Sequence, residues 1–139
     1  MSKNKNYTHG YTLEAELVRS CKKQGFVYAQ RTAGSHSVAD VIAVAPNGIV
    51  IFFQCKYQSG QLKGLTTYLR DDNVHKLLAL PDTIIKCLVI REEYKGIPII
   101  HTFKYTGEVV DNLMFGWERI NFVVKQYKRK AKNKRKKGI

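Results

Sequence analysis

The chain is short of acid. Its 139 residues hold 24 lysines and arginines against 11 aspartates and glutamates, a formal net charge of +13. That excess points to a polyanionic partner, with nucleic acid the first candidate. Ribosomal and membrane-surface proteins share the same imbalance, so charge alone does not choose among them. Cysteine is scarce as well. Cys21, Cys55 and Cys87 stand far apart, an odd set without metal-type spacing. This argues against a disulfide framework and for reduced thiols in a cytoplasmic compartment. No apolar run approaches the roughly 20 residues that span a bilayer, so no membrane partner is expected. The opening stretch, MSKNKNYTHGYT, has no apolar core of the signal-peptide kind. Internal repeats are missing, and the length suits one domain.

What is present centres on Gly34 to Lys56, GSHSVADVIAVAPNGIVIFFQCK. Asp40 opens a short apolar run, Val41 to Ala45. Pro46-Asn47-Gly48 reads as a turn, because proline presets φ and Asn-Gly accepts positive φ. A second run, Ile49 to Phe53, is β-branched and aromatic, and it closes on Gln54-Cys55-Lys56. Side chains alternate along a strand, which puts Gln54 and Lys56 on one face and Cys55 on the other. Paired as a hairpin, the two runs leave Asp40 at the open end beside Gln54 and Lys56. A carboxylate, an amide and an ammonium meeting there suit a metal-assisted phosphodiester hydrolase.

Residues 1 to 9 read as loose. A helix is expected over Tyr11 to Lys23, with Leu13, Leu17 and Cys21 as its apolar stripe and Thr12 as N-cap. Glu14 and Glu16 then fall in its first turn, where the dipole favours anions, and Glu16 is read as lying on a solvated face. Gln24-Gly25 ends the helix. Phe26 to Arg31 is a first strand, and Thr32 to Val38 a small-residue loop of the kind that approaches phosphate. Tyr57 to Leu69 reads as a mobile loop beside the site. Asp71-Asp72 starts a second helix that runs to about Leu80. Thr83 to Ile90 is an apolar strand, Arg91 to Gly96 a charged turn, and Ile97 to Tyr105 another strand. Gly107 to Phe115 reads as a short helix. Trp117 to Val124 fits a strand or a helix.

From Lys125 the composition changes. KQYKRKAKNKRKKGI holds nine lysines and arginines and no acid, which leaves +4 of the +13 for the rest. The division is a nuclease domain over 1–124 and a basic tail over 125–139. Such a tail binds nucleic acid without reading sequence.

Mg²⁺ takes oxygen ligands and keeps several waters. Asp40 supplies one carboxylate and Glu14 a second charge. The Gln54 side-chain oxygen and the Cys55 backbone carbonyl add neutral ligands. Lys56 orients or helps deprotonate the attacking water, or stabilises charge building on phosphate. Ser35 and Arg31 hold the scissile phosphate, Arg31 by its fork of donors. His36, Lys63, Arg70, Lys125, Lys128, Arg129 and Lys130 complete the candidate DNA contacts.

Asp40, the turn, and the apolar strand closing on Gln54-Cys55-Lys56 resemble the PD-(D/E)xK nuclease core. More narrowly, the chain resembles archaeal Holliday junction resolvases, including viral relatives. Gly10-x-x-x-Glu14, Gly25-Phe26, Arg31 with Ala33-Gly34-Ser35, Asp40-Val41-Ile42-Ala43 and Gln54-x-Lys56 carry the likeness, which covers roughly residues 8 to 105. The resemblance implies an α/β, restriction-endonuclease-like core with a mixed central β-sheet flanked by helices. It implies a homodimer that nicks two opposed strands of four-way junction DNA with Mg²⁺; Mn²⁺ is the alternative metal. The catalytic residues it implies are Glu14, Ser35, Asp40, Gln54 and Lys56. Gln54 departs from the pattern, standing where the family usually has an acid; related restriction-type nucleases use Gln there. The competing readings are a restriction-like or Mrr-like duplex nuclease and a non-enzymatic basic nucleic-acid-binding protein.

Overall fold

The computed structural model describes residues 2–32, 38–107, 116–122 and 124. Helix α1 (Ser2–Lys23) precedes six strands: β1 (Tyr28–Arg31), β2 (Val41–Val44), β3 (Val50–Ser59), β4 (Ile85–Tyr94), β5 (Ile97–Tyr105) and β6 (Trp117–Arg119). Between β3 and β4 the chain leaves the sheet through a 3-10 helix, Thr66–Arg70, and a short helix α2 (Asp72–Leu78). The strands lie in chain order. β3 and β4 run parallel and every other neighbouring pair runs antiparallel. A parallel pair needs a crossover, which the 3-10 helix and α2 provide. The fold is therefore α/β, with a mixed sheet between helices.

Each face of the sheet has its own core. Leu13, Leu17 and Cys21 of α1 are fully buried against Ala29, Val41, Ala43, Phe53, Cys87 and Val89. Leu65 and Val74 of the crossover cover Leu88, Ile90, Phe103 and Trp117 on the other side. β4 thus alternates between two cores, Cys87 and Val89 against Leu88 and Ile90. Burial on both faces explains why Cys87 to Ile90 reads as an unbroken apolar run. Each fully buried leucine contributes roughly 1.5–3 kcal/mol.

Several element boundaries differ from the sequence reading. α1 begins at Ser2 and not at Tyr11, so residues 2–9 are helical. They lack an apolar stripe, and periodicity cannot reveal them. Propagating a helix adds one hydrogen bond per residue, which carries it through Gly10 at a cost of about 1 kcal/mol. Thr12 is therefore an interior residue and not an N-cap, and Glu14 and Glu16 are outside the first turn. Glu16 is 1% exposed, with Oε1 3.8 Å from Nη1 of Arg91 on β4, so it lies inside and not on a solvated face. β3 continues past Lys56 to Ser59, paired with β4 as far as Glu93. The expected loop over Tyr57 to Leu69 is thus part strand and part 3-10 helix. Likewise β4 runs through Arg91 to Tyr94. The turn is confined to Lys95 and Gly96, with φ of 55° and 77°. Positive φ at both positions is the geometry of a two-residue hairpin turn. Its sequence lacks the Asn-Gly signal that would reveal it. Of Trp117 to Val124, Trp117–Arg119 is strand. The helix expected near Gly107 to Phe115 falls almost wholly outside the described residues, and the tail from Lys125 does so entirely.

Candidate active site

The site starts from the β2–β3 hairpin. Gly48 takes φ of 88° at the turn, and the Ile49 N–H donates to Asn47 Oδ1 at 3.1 Å. The register runs from Val44 opposite Val50 to Val41 opposite Phe53. Asp40 follows at the open end, clamped by its backbone on both sides. Its N–H donates to the Phe53 carbonyl at 2.8 Å, and its carbonyl accepts from the Thr32 N–H at 3.0 Å. The side chain is aimed as well: Oδ2 accepts the Cys55 N–H at 2.8 Å. A strand residue presents its N–H and C=O to the same edge, so the Cys55 carbonyl also lies on the Asp40 side.

The expected alternation holds along β3. Cys55 packs with the α1 core. Lys56 goes to the other face, where Nζ donates to Asp71 Oδ2 at 2.6 Å. Gln54 is 1% exposed, and its Nε2 donates to the Val38 carbonyl at 2.7 Å. Glu14 arrives from α1, where Oε1 accepts from Arg31 Nε at 2.9 Å. The structure thus gathers Glu14, Arg31, Asp40, Gln54, Cys55 and Lys56. Lys63 and Arg70 lie on the crossover with exposed side chains. Ser35, His36, Lys125, Lys128, Arg129 and Lys130 lie outside the described residues.

The carboxylates are under electrostatic pressure. Burial pushes the Glu14 carboxyl up; the Arg31 hydrogen bond partly offsets this, and the Asp40 charge adds to it. Burial also pushes Asp40 up, opposed by the Cys55 N–H and the Lys56 ammonium and reinforced by Asp71. The Asp40 charge thus penalises the Glu14 carboxylate, and a cation beside the two would relieve that cost. Among the described residues no group of three or more His, Cys, Asp or Glu gathers around one point. A cation here would complete its shell with amide and carbonyl oxygens and water, which suits a hard ion such as Mg²⁺ and not zinc. The thiols take no part as nucleophiles, because the reactive form is the thiolate. Burial pushes Cys21 and Cys87 up to about 12, and it pushes Cys55 well above its ordinary value.

Sequence reasoning did not find the partner of Lys56. Asp71 stood out only as a helix start, and nothing in the sequence signals a contact across 15 positions. It also did not find the polar cluster under α1, where Arg91 Nη2 lies 3.1 Å from Glu93 Oε2 and the Tyr57 hydroxyl donates to Glu93 Oε1 at 3.0 Å.

Among the described residues no helix is long and apolar enough to cross a membrane. A search of curated proteins returns no match. A family model described as archaeal Holliday junction resolvase (hjc) matches residues 5–125, most of the chain and every described element of the site. The chain belongs to the archaeal Holliday junction resolvase family, nucleases of DNA recombination and repair that act on junction DNA.

Proposed function

We propose that the chain works as a homodimer that nicks opposed strands of a four-way DNA junction by Mg²⁺-assisted phosphodiester hydrolysis, with Mn²⁺ able to substitute. The observation that carries this reading is the meeting of Asp40, the Cys55 edge and Lys56 at the open end of one hairpin, joined by Glu14 from α1. Glu14, Asp40, the Gln54 amide oxygen and the Cys55 carbonyl would hold the metal, which supplies Lewis acidity and lowers the pKa of a bound water. Lys56 is a positive charge next to the same edge and stabilises charge building on the phosphate. Arg31 and Ser35 orient that phosphate. His36, Lys63, Arg70 and the tail cations Lys125, Lys128, Arg129 and Lys130 hold the arms through contacts that position without reading bases. A four-way junction has two equivalent strands to cut, and a two-fold dimer presents two equivalent sites.

The test compares a labelled four-way junction with linear duplex of equal length, each with and without Mg²⁺. Paired nicks in the junction alone, and only with metal, are expected. Equal cutting of both substrates would assign a restriction-like duplex nuclease. Binding without cutting in either metal would assign a basic nucleic-acid-binding protein.

A further inference from the structure

We propose that Asp71 is a positioning residue for the cleavage step: from the N-cap of α2 it fixes the Lys56 ammonium in the cleft and supplies that ammonium's counter-charge. The inference rests on assigning Lys56 to the cut. Lys56 Nζ and Asp71 Oδ2 are 2.6 Å apart, with side chains 19% and 33% exposed. A lysine is a compact charge on a flexible stem, and on its own strand face its neighbour Gln54 is neutral. The fixed counter-charge comes instead from the crossover.

Asp71 uses both carboxylate oxygens. Oδ1 accepts the Asn73 and Val74 N–H groups at 2.9 and 3.2 Å, which caps α2. Those two bonds orient the carboxylate, and Oδ2 then faces Lys56. The cap is itself anchored, because the Asp71 N–H donates to the Tyr68 carbonyl of the 3-10 helix at 3.1 Å, and Val74 and Leu77 fasten α2 to the core. Burial pulls the Asp71 carboxyl up, but the Lys56 ammonium and the two capping N–H groups together hold it below its ordinary value, so it is ionised at neutral pH. Asp71 also lies close enough to Asp40 for its charge to push the Asp40 carboxyl up. A cap needs one acceptor oxygen; holding Lys56 needs a second, charged one. Asparagine and serine keep the first and lose the second.

The test uses the full chain with Asp71→Asn, Asp71→Ser, Lys56→Met and the double variant Asp71→Asn, Lys56→Met. Junction affinity without divalent metal, the unfolding midpoint and single-turnover cutting of bound junction are measured. Both cap-competent variants are expected to bind as the parent does and to stay folded under the assay conditions, with a midpoint lowered only by the lost Lys56 contact, while the cutting rate drops on the order of 10²-fold, the loss that a misplaced catalytic group produces. In the Lys56→Met background, Asp71→Asn is expected to add nothing, because the two residues act as one unit. Parental cutting by Asp71→Asn alongside a dead Lys56→Met would overturn the proposal. So would a loss of cutting that tracks a loss of folded protein in both cap variants, which would assign Asp71 to the helix cap alone. Parental cutting by Lys56→Met would remove the reading of the site itself, and the proposal with it.

Discussion

Asp40 and Glu14 sit where burial penalises their charge. A carboxyl whose folded pKa is raised binds its proton more tightly in the folded state. The stability it contributes is present below its unfolded pKa and is lost as pH rises through the folded value. Asp71 and Glu92 are shifted the other way, and theirs is lost as pH falls through the folded value. Metal-free protein should therefore carry a stability cost at neutral pH that comes from the site. Asp40→Asn keeps an oxygen for the Cys55 N–H and removes the charge. Its unfolding midpoint without metal at pH 7 should exceed the parent's, and the gap should narrow on acidification; a lower midpoint at pH 7 would contradict the electrostatic account. Gln54 gives a second test. Gln54→Glu sets a carboxylate against the Val38 carbonyl that now accepts from Nε2 at 2.7 Å. Losing that donor should cost about 1–3 kcal/mol without metal. Mg²⁺ should close the stability gap, since a ligand of the folded state alone stabilises it. It should also reach half-maximal cutting at a lower concentration. An unchanged or higher Mg²⁺ requirement would remove Gln54 from the metal shell.

At the scale of elements, the hairpin that frames the site was the most legible part of the sequence. Its two apolar runs, its Pro-Asn-Gly turn and the alternation of Gln54, Cys55 and Lys56 are all local, and local patterns survive into the fold. The α1 stripe was legible for the same reason. The start of α1, the outer half of β3 and the length of β4 were not. Those segments are polar, and their strand or helix state follows from pairing with distant residues. Ser59 pairs with Glu93, 34 positions away, and no periodicity records that. Lys56 could be read as a site residue from its strand, but its contact with Asp71 depends on how the crossover folds back. The α1 stripe also carries an energetic prediction. Leu17 is fully buried between α1 and the sheet, so Leu17→Ala should cost about 2–5 kcal/mol. Denaturant unfolding reads this as a lower midpoint at constant slope. Because α1 also delivers Glu14, cutting should weaken before the protein unfolds; a stability change under about 1 kcal/mol would mean the α1 interface is much looser than its burial implies.

At the scale of the whole molecule, the charge is concentrated at the C-terminal end of the sequence. Nine of the 24 cationic residues follow Val124, with no acid among them. Each lysine or arginine that neutralises a phosphate releases counterion, so log affinity falls with log salt by about 0.9 per contact on duplex DNA. If three or four tail residues touch the arms, a chain ending at Val124 should show a slope flatter by roughly three units, with similar losses on junction and duplex. Turnover of bound junction should survive, because the cleft lies before the tail. An unchanged slope would make the tail a solubilising end. The most direct test of the central claim, that the hairpin cleft cuts junctions with a metal, is Asp40→Ala against the parent on one labelled four-way junction, with binding and cutting followed across a Mg²⁺ titration. Affinity comes mainly from phosphate contacts away from the cleft. The variant should therefore bind as the parent does and produce no nicks at any Mg²⁺ concentration; nicking at the parental rate would contradict the account.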